Sequence, residues 1–132
     1  MDHSPRFLAL CEGVRKTIDE VSIEDVAEKI RRGEHFDLVD VREASEFQAG
    51  RIEGARHLGK GVIERDIEKA IPDPEAEIIL YCGGGFRSAL AAENLKRMGY
   101  QNVRSMNGGW RGWTDAKHPI DDSARIPAAP SH

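Results

Sequence analysis

The chain has 132 residues, with 19 Lys or Arg against 23 Asp or Glu, so its formal net charge is −4. A chain of this length is expected to form one domain and can bury a core without covalent staples. The acidic balance disfavours a general nucleic-acid binder or a protein drawn to an anionic membrane. Two cysteines are also too few for a disulfide scaffold.

The N-terminal residues show no targeting segment. Residues 1–6 begin acidic, and no apolar stretch of secretory length precedes the charge at Glu12. The longest strongly apolar run, residues 78–82, is far shorter than the roughly 20 residues that cross a bilayer. We therefore expect a cytoplasmic protein with no membrane partner, in a compartment where cysteines stay reduced.

Short apolar runs alternate with helical patterns along the whole chain, which is typical of a parallel sheet covered by helices. Helices are predicted over residues 7–14, from the cap Ser22 to Gly33, and over 44–49, 62–71 and 88–98, with a last helical turn opened by residues 108–110. Strands are predicted over residues 17–21, 37–41, 55–58, 78–81 and 103–106. The pattern therefore predicts the α/β class.

Cys82 lies at the carboxyl end of the predicted central strand, where ligands collect in open parallel sheets. Glycines at 83–85 allow a tight turn in which the amides of residues 83–87 can point inward as an anion-binding nest. Arg87 and the start of the following helix add positive potential. This setting favours a Cys82 thiolate, a nucleophile for sulfur or phosphorus centres. The alternative is an inert cysteine beside a plain turn.

Four ordered stretches carry the motifs of a known family. Residues 38–43 are similar to its strand ending in Asp-Val-Arg, and residues 46–55 to its Glu-aromatic-x-x-Gly-His-Ile-x-Gly-Ala segment. Residues 82–88 are similar to its Cys-x-x-Gly-x-Arg-Ser loop, and residues 108–113 to its closing Gly-Gly-x-x-x-Trp stretch. Over residues 18–120 the chain thus resembles the rhodanese-like family. It departs from the family at Arg51, which replaces a His and which we predict in a structural turn.

The resemblance implies a rhodanese-like domain over residues 17–120. Its fold would have three layers, with helices on both faces of a central, mostly parallel sheet. Residues 1–16 would form an added helical extension. Residues 121–132, rich in Asp, Ser, Pro and Ala, are predicted as a mobile tail.

The resemblance also implies sulfurtransferase chemistry without a cofactor. Cys82 would be the catalytic nucleophile, taking sulfur from thiosulfate or a persulfide donor and passing it to cyanide or a thiol, including a protein thiol. The substrate-binding loop would comprise Gly83, Gly84, Gly85, Phe86, Arg87 and Ser88. Three charged residues are predicted as structural support rather than as reacting groups: Asp40, Arg42 and Glu46.

Loop length separates sulfur transfer from phosphoryl transfer. Residues 82–87 make a six-residue loop, whereas related cysteine phosphatases place the arginine one position later, where this chain has Ser88. Tyr81 also stands where phosphatases commonly carry His. A cysteine phosphatase or arsenate reductase is therefore disfavoured. A non-catalytic sulfur-carrier or regulatory module remains the main alternative.

Arg87 is the only charged side chain in the loop. Backbone dipoles and this one cation would have to attract an anionic donor by themselves. The sequence therefore predicts weak selectivity for thiosulfate and a site open to bulkier persulfides.

Other candidate residues favour structural roles. Cys11, on the apolar face of the leading helix, is predicted to be buried and inert rather than a thiol that takes sulfur from Cys82. Trp110 and Trp113 predict core packing, with the alternative that one borders the pocket. The five histidines show no metal-ligand spacing, so no metal site is predicted at positions 3, 35, 57, 118 and 132.

Overall fold

A computed structural model describes residues 3–123. Most of the predicted tail, together with His132, lies outside the described residues. The helices are α1 (Pro5–Arg15), α2 (Ile23–Arg31), α3 (Ala44–Ala49), α4 (Ile63–Ala70), α5 (Phe86–Arg97) and α6 (Gly109–Asp115). The strands are β1 (Asp19–Val21), β2 (Asp37–Asp40), β3 (Arg51–Ile52), β4 (Arg56–His57), β5 (Ile78–Tyr81), β6 (Val103–Met106) and β7 (Ile120–Asp121). Within residues 3–123 no helix is long and apolar enough to cross a bilayer.

Five parallel strands form the main sheet, in the order β1-β6-β5-β2-β4. The central strand β5 is buried along its whole length. Since side chains alternate across a strand, Ile78 and Leu80 pack with α1, α4 and α5, while Ile79 and Tyr81 pack with α2, α3 and α6. The predicted α/β fold, with helices on both faces of a parallel sheet, is confirmed.

Local signals explain why most predicted boundaries agree with the structure. The Ser22 side chain accepts a 3.0 Å hydrogen bond from the Asp25 amide and caps α2, and α3 ends at Gly50 as predicted. Helix α5 begins two residues earlier than predicted, at Phe86. The cause is Gly85, whose φ of +98° completes the turn and lets the helix start directly after it.

The prediction for Arg51 is wrong in its local structure. Arg51 begins β3, which pairs antiparallel with β7, and the residue is buried. Its guanidinium donates 2.9 Å hydrogen bonds to the carbonyls of Phe47 and Ser123 and lies 3.3 Å from the Asp121 carboxylate. Residues 121–123, predicted as the start of the tail, are therefore tied to β3. A strand of two residues, such as β3 or β7, is too short to show the alternation of apolar and polar residues that marks a strand in a sequence.

Candidate active site

The thiol of Cys82 is buried directly after β5 and beneath the glycine turn. The Gly85 amide donates a 3.1 Å hydrogen bond to Cys82 Sγ. Ser88 Oγ lies 3.5 Å from Sγ and 2.8 Å from Ser105 Oγ on β6. Because hydroxyl groups both donate and accept, Ser88 can accept from a thiol or donate to a thiolate without moving its heavy atom. Two predicted loop residues, Gly85 and Ser88, thus meet at the sulfur.

Helix α6 holds the backbone of the loop from the side opposite to the thiol. The amides of Trp110 and Arg111 donate to the carbonyls of Cys82, at 2.7 Å, and Gly83, at 3.0 Å. In a trans peptide the N–H points opposite to the C=O, so the amides of Gly83 and Gly84 point away from α6. Cys82 packs with the sheet face opposite to that of α6, so these amides point toward the side that holds the thiol.

Arg87 shares its charge with two carboxylates at the start of α3. Its guanidinium lies 3.6 Å from Glu46 Oε1 and 4.0 Å from Glu43 Oε1. Glu46 also accepts a 3.1 Å hydrogen bond from the Glu43 amide, which fixes the first turn of α3. The predicted support residue Glu46 therefore contacts the loop arginine, and Glu43 joins it. Glu43 ends the first family stretch, but no role for it was predicted from the sequence, and its side chain is largely exposed.

Asp40 and Arg42 form a buried ion pair beside the site. Arg42 Nη2 lies 2.8 Å from Asp40 Oδ2, and its amide and Nε also donate to the same carboxylate. Burial opposes the charge of Arg42, but the hydrogen bonds and charge of Asp40 outweigh it and raise the pKa of Arg42. The guanidinium stacks 4.5 Å from the Trp110 ring and donates to the Gly50 carbonyl. The pair thus connects β2, the end of α3 and the start of α6.

Several neighbouring residues are satisfied by structural contacts. The Tyr81 hydroxyl accepts a 3.0 Å hydrogen bond from the Ile52 amide, and burial raises the pKa of Tyr81. His57 Nε2 lies 2.7 Å from the Arg42 carbonyl oxygen. Trp113 is buried, as predicted, whereas Trp110 is half-buried over Arg42. These side chains shape the scaffold behind the loop.

The N-terminal helix α1 contacts the loop through Phe86. The Phe86 ring lies 4.6 Å from the His3 ring and 5.9 Å from the Phe7 ring, and the Arg15 guanidinium lies 5.1 Å from its centroid. The family motifs begin after α1, so these contacts carried no sequence signal beyond the apolar face of the helix. An element outside the motifs therefore packs against a residue of the loop.

Cys11 of α1 is buried, as predicted. Desolvation raises the pKa of its thiol, the charge of Arg15 lowers it, and nearby Cys82 raises it further. A raised pKa reduces the thiolate fraction and therefore the reactivity of Cys11 near neutral pH.

A cavity of about 450 Å³ lies elsewhere. It contains none of the predicted site residues and is lined in part by Ile30, Trp113 and Pro119. Trp113 belongs to the core on the face of the sheet opposite Cys82. The candidate reacting group therefore lies in the loop and not in this cavity.

The Ser88–Ser105 contact gives a test of the geometry around the sulfur. We expect Ser105→Ala to lower the free energy of unfolding by about 1–2 kcal/mol, because a buried hydroxyl of Ser88 loses its best partner. Urea denaturation of Ser88→Ala, Ser105→Ala and the double variant measures the coupling. A coupling energy of about 0.5–1.5 kcal/mol is expected, and strictly additive effects would contradict the contact.

Two known proteins are similar to this chain in sequence. The putative sulfur carrier protein YrkF of Bacillus subtilis is 32% identical over 98 residues, which are 74% of this chain and 52% of YrkF. The thiosulfate sulfurtransferase GlpE of Coxiella burnetii is 33% identical over 86 residues, 65% of this chain and 78% of GlpE. This chain therefore spans about half the length of YrkF and most of GlpE.

Solved structures give the same fold. A Rhodopseudomonas palustris protein of unknown function, described as a possible tyrosine phosphatase, aligns with a TM-score of 0.78 and 28% identity over 92% of this chain and 99% of its own. The sequence profile of the Rhodanese-like domain matches residues 22–116, most of the chain. The resemblance inferred from four motifs is thereby confirmed, and this chain belongs to the rhodanese-like domain family.

Proposed function

We propose that the protein is a sulfurtransferase of the rhodanese type with Cys82 as its nucleophile. The main support is the hydrogen bond from the Gly85 amide to Cys82 Sγ, at 3.1 Å, inside a loop whose carbonyls are held by α6. The rhodanese-like domain would comprise residues 17–120, and residues 1–16 an extension that contacts the loop. The protein would act in the cytoplasm, where the two free cysteines stay reduced.

The proposed reaction has two displacement steps. The Cys82 thiolate attacks the outer sulfur of thiosulfate, an S–S bond forms, the original S–S bond breaks, and sulfite leaves with the bonding electron pair. An acceptor thiolate or cyanide then attacks the outer sulfur of the Cys82 persulfide. The products are an acceptor persulfide or thiocyanate, and the Cys82 thiolate is regenerated. Neither step requires an external oxidant or a cofactor.

The loop would stabilise the persulfide anion. Its terminal sulfur lies one S–S bond, about 2 Å, beyond Cys82 Sγ. The amides of Gly83 and Gly84, which point away from α6, are available to it as donors, and Ser88 can donate to Sγ. Neutral donors at fixed positions stabilise a developing anion without having to reorganise.

A sulfur-carrier function is the second candidate. The name of YrkF supports it, and so does the pairing of Arg87 with Glu43 and Glu46, which weakens the attraction of the loop for a free anion. In this alternative, a partner protein would load Cys82, and a protein thiol would unload it. The description of the Rhodopseudomonas palustris protein points to a phosphatase, but the six-residue loop and Tyr81 of this chain weigh against that chemistry.

One experiment separates the three candidates. The purified protein is incubated with thiosulfate and analysed by mass spectrometry, cyanolysis of bound sulfur and steady-state thiocyanate formation, and in parallel with an aryl phosphate. Sulfur transfer predicts a gain of one sulfur atom, about 32 Da, and repeated turnover. Loading with negligible turnover would favour the carrier. Aryl phosphate hydrolysis without any loading would overturn the proposal.

A further inference from the structure

The loop itself offers a donor little free positive charge. Arg87 is the only cationic side chain of the loop, and two carboxylates lie within 4.0 Å of it. Thiosulfate carries two negative charges, so attraction by a neutralised arginine would be weak. The prediction of weak selectivity rested on the side chains of the loop alone. Other parts of the fold bring further cations to it.

Arg111 of α6 lies against the loop at Gly83 and Gly84. Its amide is bound to the Gly83 carbonyl, so its side chain starts beside the loop. Its Nη1 atom lies 3.9 Å from the position that a Cβ would occupy on Gly84. Because Gly84 has no side chain, nothing from that residue separates the guanidinium from the loop.

The charge of Arg111 is uncompensated in the described part of the chain. No ion pair or side-chain hydrogen bond engages its guanidinium within residues 3–123, and the residue is exposed. Arg15, the other cation at the loop, has a partner for its charge and is only partly exposed. It pairs with Glu20 at 3.5 Å and lies over the Phe86 ring. Arg111 is therefore the cation best placed to meet an incoming anion.

We propose that Arg111 is a substrate-binding residue that selects dianionic sulfur donors by contacting the sulfonate end of thiosulfate. When the outer sulfur of the donor meets Cys82, its sulfonate group projects out of the loop. The Arg111 guanidinium reaches the loop at Gly84, beside the Phe86 ring, and Gly84 has no side chain that would stand between this cation and an anion leaving the loop. This inference rests on the proposed sulfur transfer and names the group that would supply the charge missing from the loop.

The test compares two donors that differ in charge. The second-order rate constant for loading Cys82 is measured with thiosulfate, a dianion, and with benzenethiosulfonate, a monoanion. For a charge about 6 Å away in a water-like dielectric, Arg111→Gln should slow thiosulfate loading roughly 10-fold and benzenethiosulfonate loading roughly 3-fold. Added salt should slow the wild-type protein more than the variant. Because loading is measured in a single turnover, the test also applies to a carrier that turns over slowly.

Two variants control for other causes. Arg97→Gln makes the same charge change at the far end of α5, on a side chain that is 74% exposed, and should leave both rate constants within about 2-fold. Arg111→Lys keeps the charge and should restore thiosulfate loading to within about 3-fold of wild type. Circular dichroism and urea denaturation of each variant confirm that the fold is intact.

The possible failures are distinguishable. If the wild-type protein accepts sulfur from neither donor, the proposed function itself fails. If the wild-type protein loads and Arg111→Gln loads thiosulfate equally fast, only the role of Arg111 is overturned. Equal slowing with both donors, or the same slowing in Arg97→Gln, would also overturn it, since the effect would then not depend on charge at the loop.

Discussion

The Cys82→Ser variant is expected to acquire no cyanolysable sulfur and no mass increase after incubation with thiosulfate, and its transfer rate should fall at least about 10³-fold. A serine hydroxyl is not ionised near neutral pH and cannot form the S–S bond that holds the transferred sulfur. The surrounding donors, the Gly85 amide and the Ser88 hydroxyl, would remain in place. Loss of sulfur binding with retained structure is the result that supports Cys82 as the nucleophile.

Cys11→Ser is the matched control for this experiment. Both cysteines are buried to the same degree, so the same substitution introduces a hydroxyl into a comparable environment. We expect Cys11→Ser to gain one sulfur atom, as the wild-type protein does. Sulfur retained by Cys82→Ser and lost by Cys11→Ser would contradict the assignment. Loss in both variants, with the fold intact, would show that Cys11 takes part.

The Gly109→Ala variant is expected to lose about 2–5 kcal/mol of the free energy of unfolding. A Cβ on this residue would lie 2.4 Å from the Cys82 carbonyl oxygen and 2.9 Å from the Gly83 carbonyl, which are backbone atoms with no room to move. Its φ of +57° adds about 1–2 kcal/mol for a residue with a side chain, and overpacking typically costs about 1–3 kcal/mol. Urea denaturation measures the combined loss in the free energy of unfolding.

The same variant should also slow the loading of sulfur onto Cys82. Displacing α6 moves the amides of Trp110 and Arg111, which hold the carbonyls of Cys82 and Gly83. We expect a fall of roughly 10-fold or more in the loading rate, because misplaced donors lose much of their stabilisation. Gly13→Ala is the control: no atom lies within 4 Å of the added Cβ, and a helical alanine should stabilise the protein by up to about 1 kcal/mol. Wild-type stability in Gly109→Ala would contradict the tight contact.

The sequence predicted the central elements well because their signals are local. The strands Ile78–Tyr81 and Val103–Met106 and the helix Ala44–Ala49 have the predicted bounds. A buried strand shows as an uninterrupted apolar run, and a helix shows its cap and its closing glycine within a few residues. The loop after β5 was likewise readable, because Cys82 and Arg87 belong to one continuous motif.

The features that the sequence did not reveal all depend on contacts between distant segments. Arg51 contacts Ser123, 72 positions away, and no local pattern indicates such a pairing. Arg111 reaches the loop only because α6 packs against it. The rings of His3 and Phe7 meet Phe86 only because α1 packs on α5. Such contacts follow from the packing of whole elements rather than from spacing along the chain.

The two hydrogen bonds from α6 to the loop have a consequence for folding. The Cys82 and Gly83 carbonyls are held by amides that each lie 28 positions later in the chain (110 − 82 and 111 − 83). Closing such a separation costs chain entropy, and contacts of this kind form later than local ones on average. A growing chain that ends before α6 contains the whole Cys82 motif but lacks these anchors. The loop geometry that we propose to activate Cys82 is therefore complete only in the finished domain, and hydrogen exchange at the Trp110 and Arg111 amides would report when it forms.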